Sequence, residues 1–278
     1  MHIRSQFRRP LNGAVTAVAI AVVLFAVVVT AGQAPAAQSQ FPRTADGKPD
    51  LSGIWQAIGT ANWDLEAHEA RPSPLLTLGA VGAVPAGLGV VEGGKIPYQP
   101  WAAAKKQENA KNWLKLDPEV KCFLPGVPRA TYLPNPFQVF QSPGRLLIVY
   151  GYSYARREIS MVPRGRGPVD FWMGWSDGRW EGDTLVVDVT NFNDQSWFDR
   201  AGNFHSEELH VVERYTPITP YHIAYEATIE DPKVFTRPWK ISMPLYRLVD
   251  KNVQLLEFKC VEFTEELLYG DVVKKPNR

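Results

Sequence analysis

Between residues 136 and 262 the chain is a succession of short alternating runs broken by turn residues, and this pattern limits the possible folds more than any other feature. In Tyr221–Glu230, Tyr221, Ile223, Tyr225, Ala227 and Ile229 alternate with His222, Ala224, Glu226, Thr228 and Glu230. A period of two puts one face of a strand in a core and the other in water. Phe137–Phe140 and Arg145–Tyr152 flank Ser142-Pro143-Gly144, a hairpin signal. Tyr154–Val162 and Thr184–Phe192 read as strands, as do Glu208–Tyr215 and Trp239–Leu248. Phe171–Trp175 and Arg179-Trp180 flank Asp177-Gly178, a pair suited to a tight hairpin turn. A last strand, Val253–Glu262, is expected to meet Trp239–Leu248 across Asp250-Lys251-Asn252. About eight such strands with short connections form an antiparallel meander, which curls into a barrel or folds into a sandwich. A barrel is preferred because closure removes exposed edges. Its interior is filled by side chains or holds one small ligand.

The rest of the mature chain, 51–278, belongs to the same β-rich domain. Residues 72–100 hold five prolines and six glycines, a composition that excludes a long helix or central strand and predicts an extended surface loop. The one substantial helix is expected over 100–116. Pro100 suits its first position, and Asp117-Pro118 ends it. Trp101, Ala104 and Trp113 are placed to pack onto the sheet. Cys122 and Cys260 are the only cysteines, and a disulfide between them would clamp the last strand.

Five stretches carry a resemblance over nearly the whole mature chain. They are Asp50–Trp55, Pro125–Arg129, Gly178–Val187, Trp197–His205 and Ile229–Lys233. Together they resemble a large family of exported bacterial proteins whose activity is uncharacterised, so the resemblance implies export and no chemistry. Gly53-Ile54-Trp55 is also similar to the G-x-W that opens the first strand of lipocalin-type barrels.

The N-terminus has the order of a signal peptide. Arg4, Arg8 and Arg9 precede the uncharged run Ala14–Ala31, and Ala34-Pro35-Ala36 fits a cleavage site. Residues 1–36 thus read as a signal peptide and 37–50 as a polar linker. An uncleaved anchor is the alternative and the only expected membrane contact. Removing 1–36 lowers Lys+Arg from 30 to 27 against 29 Asp+Glu, a net charge of −2. No basic stripe marks a nucleic-acid partner. A periplasmic or secreted location follows.

Candidate chemistry concentrates in Asn191–Glu208, a connection much longer than its neighbours. Long polar loops on a rigid sheet often carry function. His205 is a candidate general acid or base, with Asp199 to orient it or Glu208 as a second carboxylate. The structural alternative makes Asp199 and Arg200 turn formers and His205 a strand cap. Arg129, Arg200, Trp175 and Trp197 are candidate ligand contacts. Arg129 and Arg156-Arg157 read either as surface positions or as arginines turned into a barrel, which need a carboxylate or an anionic ligand. His205, His210 and Asp199 would make a metal set only if the loop bent, since residues five apart on a strand face opposite sides. No metal site and no cofactor are therefore expected. The leading reading is an exported protein that binds a small, largely apolar molecule under loop 191–208. A cofactor-free acid/base enzyme (lyase, isomerase or hydrolase) and an assembly protein without a pocket are the alternatives. The exported form is expected to begin near residue 37. N-terminal sequencing of that form checks this, and a start at Met1 would contradict it.

Overall fold

The computed structural model describes residues 40–73 and 75–274. The leader, its arginines and the expected cleavage site lie outside them. Among the described residues there are nine strands: β1 (Gly53–Ala57), β2 (Phe137–Ser142), β3 (Arg145–Tyr150), β4 (Arg156–Ser160), β5 (Trp175–Glu181), β6 (Thr184–Thr190), β7 (His210–Thr219), β8 (His222–Glu230) and β9 (Trp239–Arg247). They close in sequence order into a barrel, with β9 returning to β1 through Trp55↔Arg247 and Ala57↔Leu245. The mainly β architecture is thus a closed barrel and not a sandwich. No helix among the described residues is long and apolar enough to cross a membrane.

Three local expectations are corrected. First, Asp177-Gly178 is not a turn, because Trp175–Glu181 is one continuous strand. Gly178 is there for close approach: a Cβ would lie 2.7 Å from Ile159 Cγ2 and 2.8 Å from Met161 Sδ. The hairpin turns instead at Gly182-Asp183, between the paired residues Glu181 and Thr184, and Gly182 has the positive φ of 61° that favours glycine. Second, the meander contains one parallel pair, β4 with β5, through Ile159↔Ser176 and Ser160↔Asp177. Residues 161–174 carry the chain back so that β5 can run alongside β4. Third, Val253–Glu262 is not a strand. Both edges of β9 are already taken, by β8 and β1, so the barrel has no place for another. The segment leaves the sheet, touches Tyr152 by a single bridge at Phe258, and ends in a helix, Thr264–Lys274. The Cys122–Cys260 disulfide forms, with a Cα–Cα distance of 5.5 Å. It anchors this trailing segment and not a strand.

The expected helix is present as α1 (Pro100–Lys111) and α2 (Trp113–Leu116), interrupted at Asn112; a third, α3, spans Arg129–Tyr132, and Thr264–Lys274 is α4. Ala102 and Asn109 face inward on α1, whereas Trp101 is exposed. The described residues of 72–100 form the expected loop, apart from a 3₁₀ turn at Leu76–Gly82. Pairing with the body orders it: Glu92 N–H donates to Lys240 O at 2.8 Å, and Gln99 N–H to Val234 O at 2.8 Å. The start of the described chain is also held, by Phe41 stacked on Trp55 and Arg43 bonded to Asp183 at 2.6 Å.

Side chains fill the barrel. Trp55, Phe137, Leu146, Ile148, Leu185 and Leu245 surround a void of only about 10 Å³. That is at most about one water. Deeper in the chain's core, Arg157 on β4 turns inward, as the alternation of β4 requires, and meets Glu213 on β7 at 2.5 Å. Glu213 also accepts from Tyr215 Oη at 3.0 Å and Tyr225 Oη at 2.8 Å, while Arg157 Nε donates to Ser176 Oγ at 2.8 Å. Burial draws the Arg157 guanidinium down, but Glu213, Tyr150 and Tyr215 together more than offset it and hold the proton firmly. Removing one member of a buried pair strands the other charge. Glu213→Gln is therefore expected to lower the unfolding free energy by about 3–5 kcal/mol. Urea midpoints measure this. The double variant Arg157→Met, Glu213→Leu is expected to lose less.

Candidate functional site

The long connection from β6 to β7 is organised by buried polar groups. Asp199 is fully buried at its centre. Its carboxylate accepts from the backbone N–H groups of Leu65 at 2.8 Å and Ala201 at 2.9 Å, and from Asn203 Nδ2 at 2.5 Å. Burial, with Asp64 nearby, pushes this carboxyl up to about 7, against the hydrogen bonds that favour its ionised form. These contacts hold the turn, and His205 is not among them.

His205 is buried between Phe192 and Phe198. Its Nδ1–H donates to Ser206 O at 2.8 Å, because a carbonyl can only accept. Nε2 therefore accepts from the Ser196 hydroxyl, also at 2.8 Å. Ser206 is fixed in turn by Asp231, through its N–H at 2.6 Å and its hydroxyl at 2.9 Å. Burial lowers the proton affinity of the imidazole, which stays neutral.

Arg129 is buried too. It forms two parallel bonds with Asp117, at 2.9 and 3.1 Å, and a longer one to Glu119 at 3.4 Å. Burial opposes the charge on Arg129, and these two carboxylates outweigh it. Arg200 extends the network, donating to Glu119 at 2.8 Å and Glu265 at 3.1 Å. The carboxylate that an inward arginine needs is thus supplied by the protein at both Arg129 and Arg157. Trp197 is buried and bridges to Phe204.

The two ends of the loop border an open cleft of about 580 Å³ on the outer face of β5, β6 and β7, lined in part by Asn191, Glu207 and Glu208. Trp175, Glu208 and His210, the last weighed from the sequence only as a metal ligand, line it; Arg129, Trp197, Asp199 and His205 are packed elsewhere, and Arg200 faces a different concavity. On the cleft wall His210 Nε2 lies 3.1 Å from Asp188 Oδ1, and Nδ1 lies 3.8 Å from Glu230 Oε2. The pair is partly exposed, at 35% for the His210 side chain and 41% for that of Asp188. Asp177 is held by Arg164, whose N–H and Nε donate to it at 2.8 and 3.0 Å, and Arg164 stacks over Trp175 at 3.9 Å. Arg166 and Arg179 add positive charge to the cleft wall.

The pairing of Asp188 with His210 was missed because it depends on register. Asp188 lies opposite Val212, which places His210 two residues along β7 on the same face. The outward position of Asp188 is visible in the alternation of β6, but nothing in the sequence states how β6 and β7 slide against each other. Among the described residues no cluster of three or more His, Cys, Asp or Glu side chains is arranged to hold a metal ion. None of the family models, curated proteins or solved structures compared with the chain matches it.

A neutral buried imidazole makes stability depend on pH in a definite direction. With the folded proton affinity of His205 below the unfolded one, the contribution is full above the ordinary histidine value of 6.5 and is lost as pH falls through it. His205→Gln is expected to flatten the fall in urea midpoint between about pH 7 and 5. Parallel profiles for the variant and the wild type would contradict this.

Proposed function

We propose that the protein is an exported, cofactor-free acid/base enzyme whose proton-transferring group is His210, oriented by Asp188 in the open cleft. The observation that carries this reading is the 3.1 Å contact of His210 Nε2 with Asp188 Oδ1 on a cleft wall. In the neutral imidazole the Nε2–H donates to Asp188, which leaves Nδ1, 3.8 Å from Glu230 Oε2 and beyond hydrogen-bond reach of it, to accept a proton. A carboxylate that fixes the tautomer of a histidine is a recurrent arrangement in proton transfer. Glu208 at the rim supplies a second carboxylate. Arg166 would face the negative charge that develops as a proton leaves the substrate, whereas Arg179 is held by Glu181 at 2.8 Å.

The reaction class is proton transfer at a small polar substrate: lyase, isomerase or hydrolase chemistry. A ligand held inside the barrel finds no support, because that interior is occupied by side chains. The Cys122–Cys260 bond supports export, since disulfides persist in oxidising compartments. His205, Asp199 and Arg129 take supporting positions in this reading.

Incubation with small esters, lactones and ketones in D₂O, followed by mass spectrometry, tests the proposal. Turnover or C–H exchange should fall about 100-fold or more in His210→Asn and Asp188→Asn, with the melting temperature kept. Equal rates in wild type and His210→Asn, or no reaction in either, would overturn it.

A further inference from the structure

We infer that the protein has a second, separate ligand site: a pocket for an amphipathic anion with one acidic headgroup and an apolar body. The site is a concavity of about 480 Å³, within the usual range for small-molecule pockets. Its apolar walls include Trp63, Trp113, Tyr269 and Leu75.

The Pro/Gly-rich loop builds one side. Arg71 and Val84 pair through two backbone hydrogen bonds, at 3.0 and 2.9 Å, and Ser73, Leu75, Leu78 and Gly82 between them line the pocket as a flap. Gly82 lets the flap close on itself, because a Cβ there would lie 2.6 Å from Ser73 Oγ. α1 and α4 supply further walls. The Cys122–Cys260 bond and the Arg200–Glu265 ion pair at 3.1 Å hold α4 in place.

The charges select the ligand. Arg200 is committed to Glu119 and Glu265. Arg71 and Lys106 are not committed in this way: each lies 4.0 Å from its nearest carboxylate, Asp64 and Glu66 respectively, beyond hydrogen-bond reach. Both line the pocket. The two acids on its wall already have partners, Glu265 through Arg200 and Asp64 through the Glu66 N–H at 3.1 Å. Two cations with donors to spare beside an aromatic wall suit a carboxylate or sulfonate on an apolar body. A cation or a neutral alcohol would leave both unanswered.

Calorimetric titration of the whole mature protein with decanoate, decanol and decyltrimethylammonium, below micelle-forming concentrations, tests this. Decanoate should bind one per chain, at least tenfold more tightly than the other two. Arg71→Gln/Lys106→Gln should lose at least tenfold in decanoate affinity with an unchanged melting temperature, while His210→Asn binds like the wild type. The inference is overturned by absent or non-saturable decanoate binding, by equal binding of the three probes, or by affinity that survives the double substitution.

Discussion

The Arg157–Glu213 pair ties the barrel wall together from inside. It joins β4 to β7, and through Tyr215, Tyr225 and Ser176 it draws in β8 and β5. A hydrophobic interior tolerates small slips and repacking, whereas a buried charge does not. Sliding β7 by one residue would turn Glu213 outward and leave Arg157 alone in the core. The pair thus links register to the satisfaction of a buried charge. Once β6 and β7 are aligned by that requirement, the outer face follows, and Asp188 comes to lie beside His210. The interior pair and the exterior cleft are two sides of one alignment.

The β6–β7 connection applies the same rule without regular structure. Its backbone has no ladder to satisfy it, so Asp199 gathers N–H groups from Leu65, Ala201 and Asn203, and Asp231 gathers those around Ser206. Carboxylates act there as local substitutes for a neighbouring strand. With its middle pinned in this way, the loop presents Glu207 and Glu208 to one concavity and Arg200 and Ala201 to another.

The period-two pattern made most of the barrel legible, because alternation in β8 records which face is buried. It failed where a residue had more than one local explanation. Gly178 beside Asp177 has the chemistry of a turn, yet the requirement was close approach of β4, a contact distant in sequence. The segment Val253–Glu262 has strand-like residues, but whether a strand forms depends on a free edge, and β1 had taken it. The loop 191–208 was legible as unusual from its length and polarity. Its residues could be sorted only by geometry: His205 and Asp199 turned inward to hold the loop, while Glu208 stayed at the rim. The disulfide was readable because the sequence has two cysteines, so each has only one intramolecular partner.

Closure of the ring by β1 and β9 sets an order of assembly. β1 lies near the start of the described chain, and its pairings are with β2, far along the sequence, and with β9, near the other end. Contacts across such long intervals carry the full entropy of loop closure before they return any stabilisation. Neighbouring hairpins, such as β2–β3 and β7–β8, face no such delay. The sheet is thus built as an open arc that joins only when β9 is in place. Until then the arc has two bare edges, each able to pair with another unfinished copy. For a chain made from its N-terminus onward, the last of the described strands to emerge is also the one that removes this hazard.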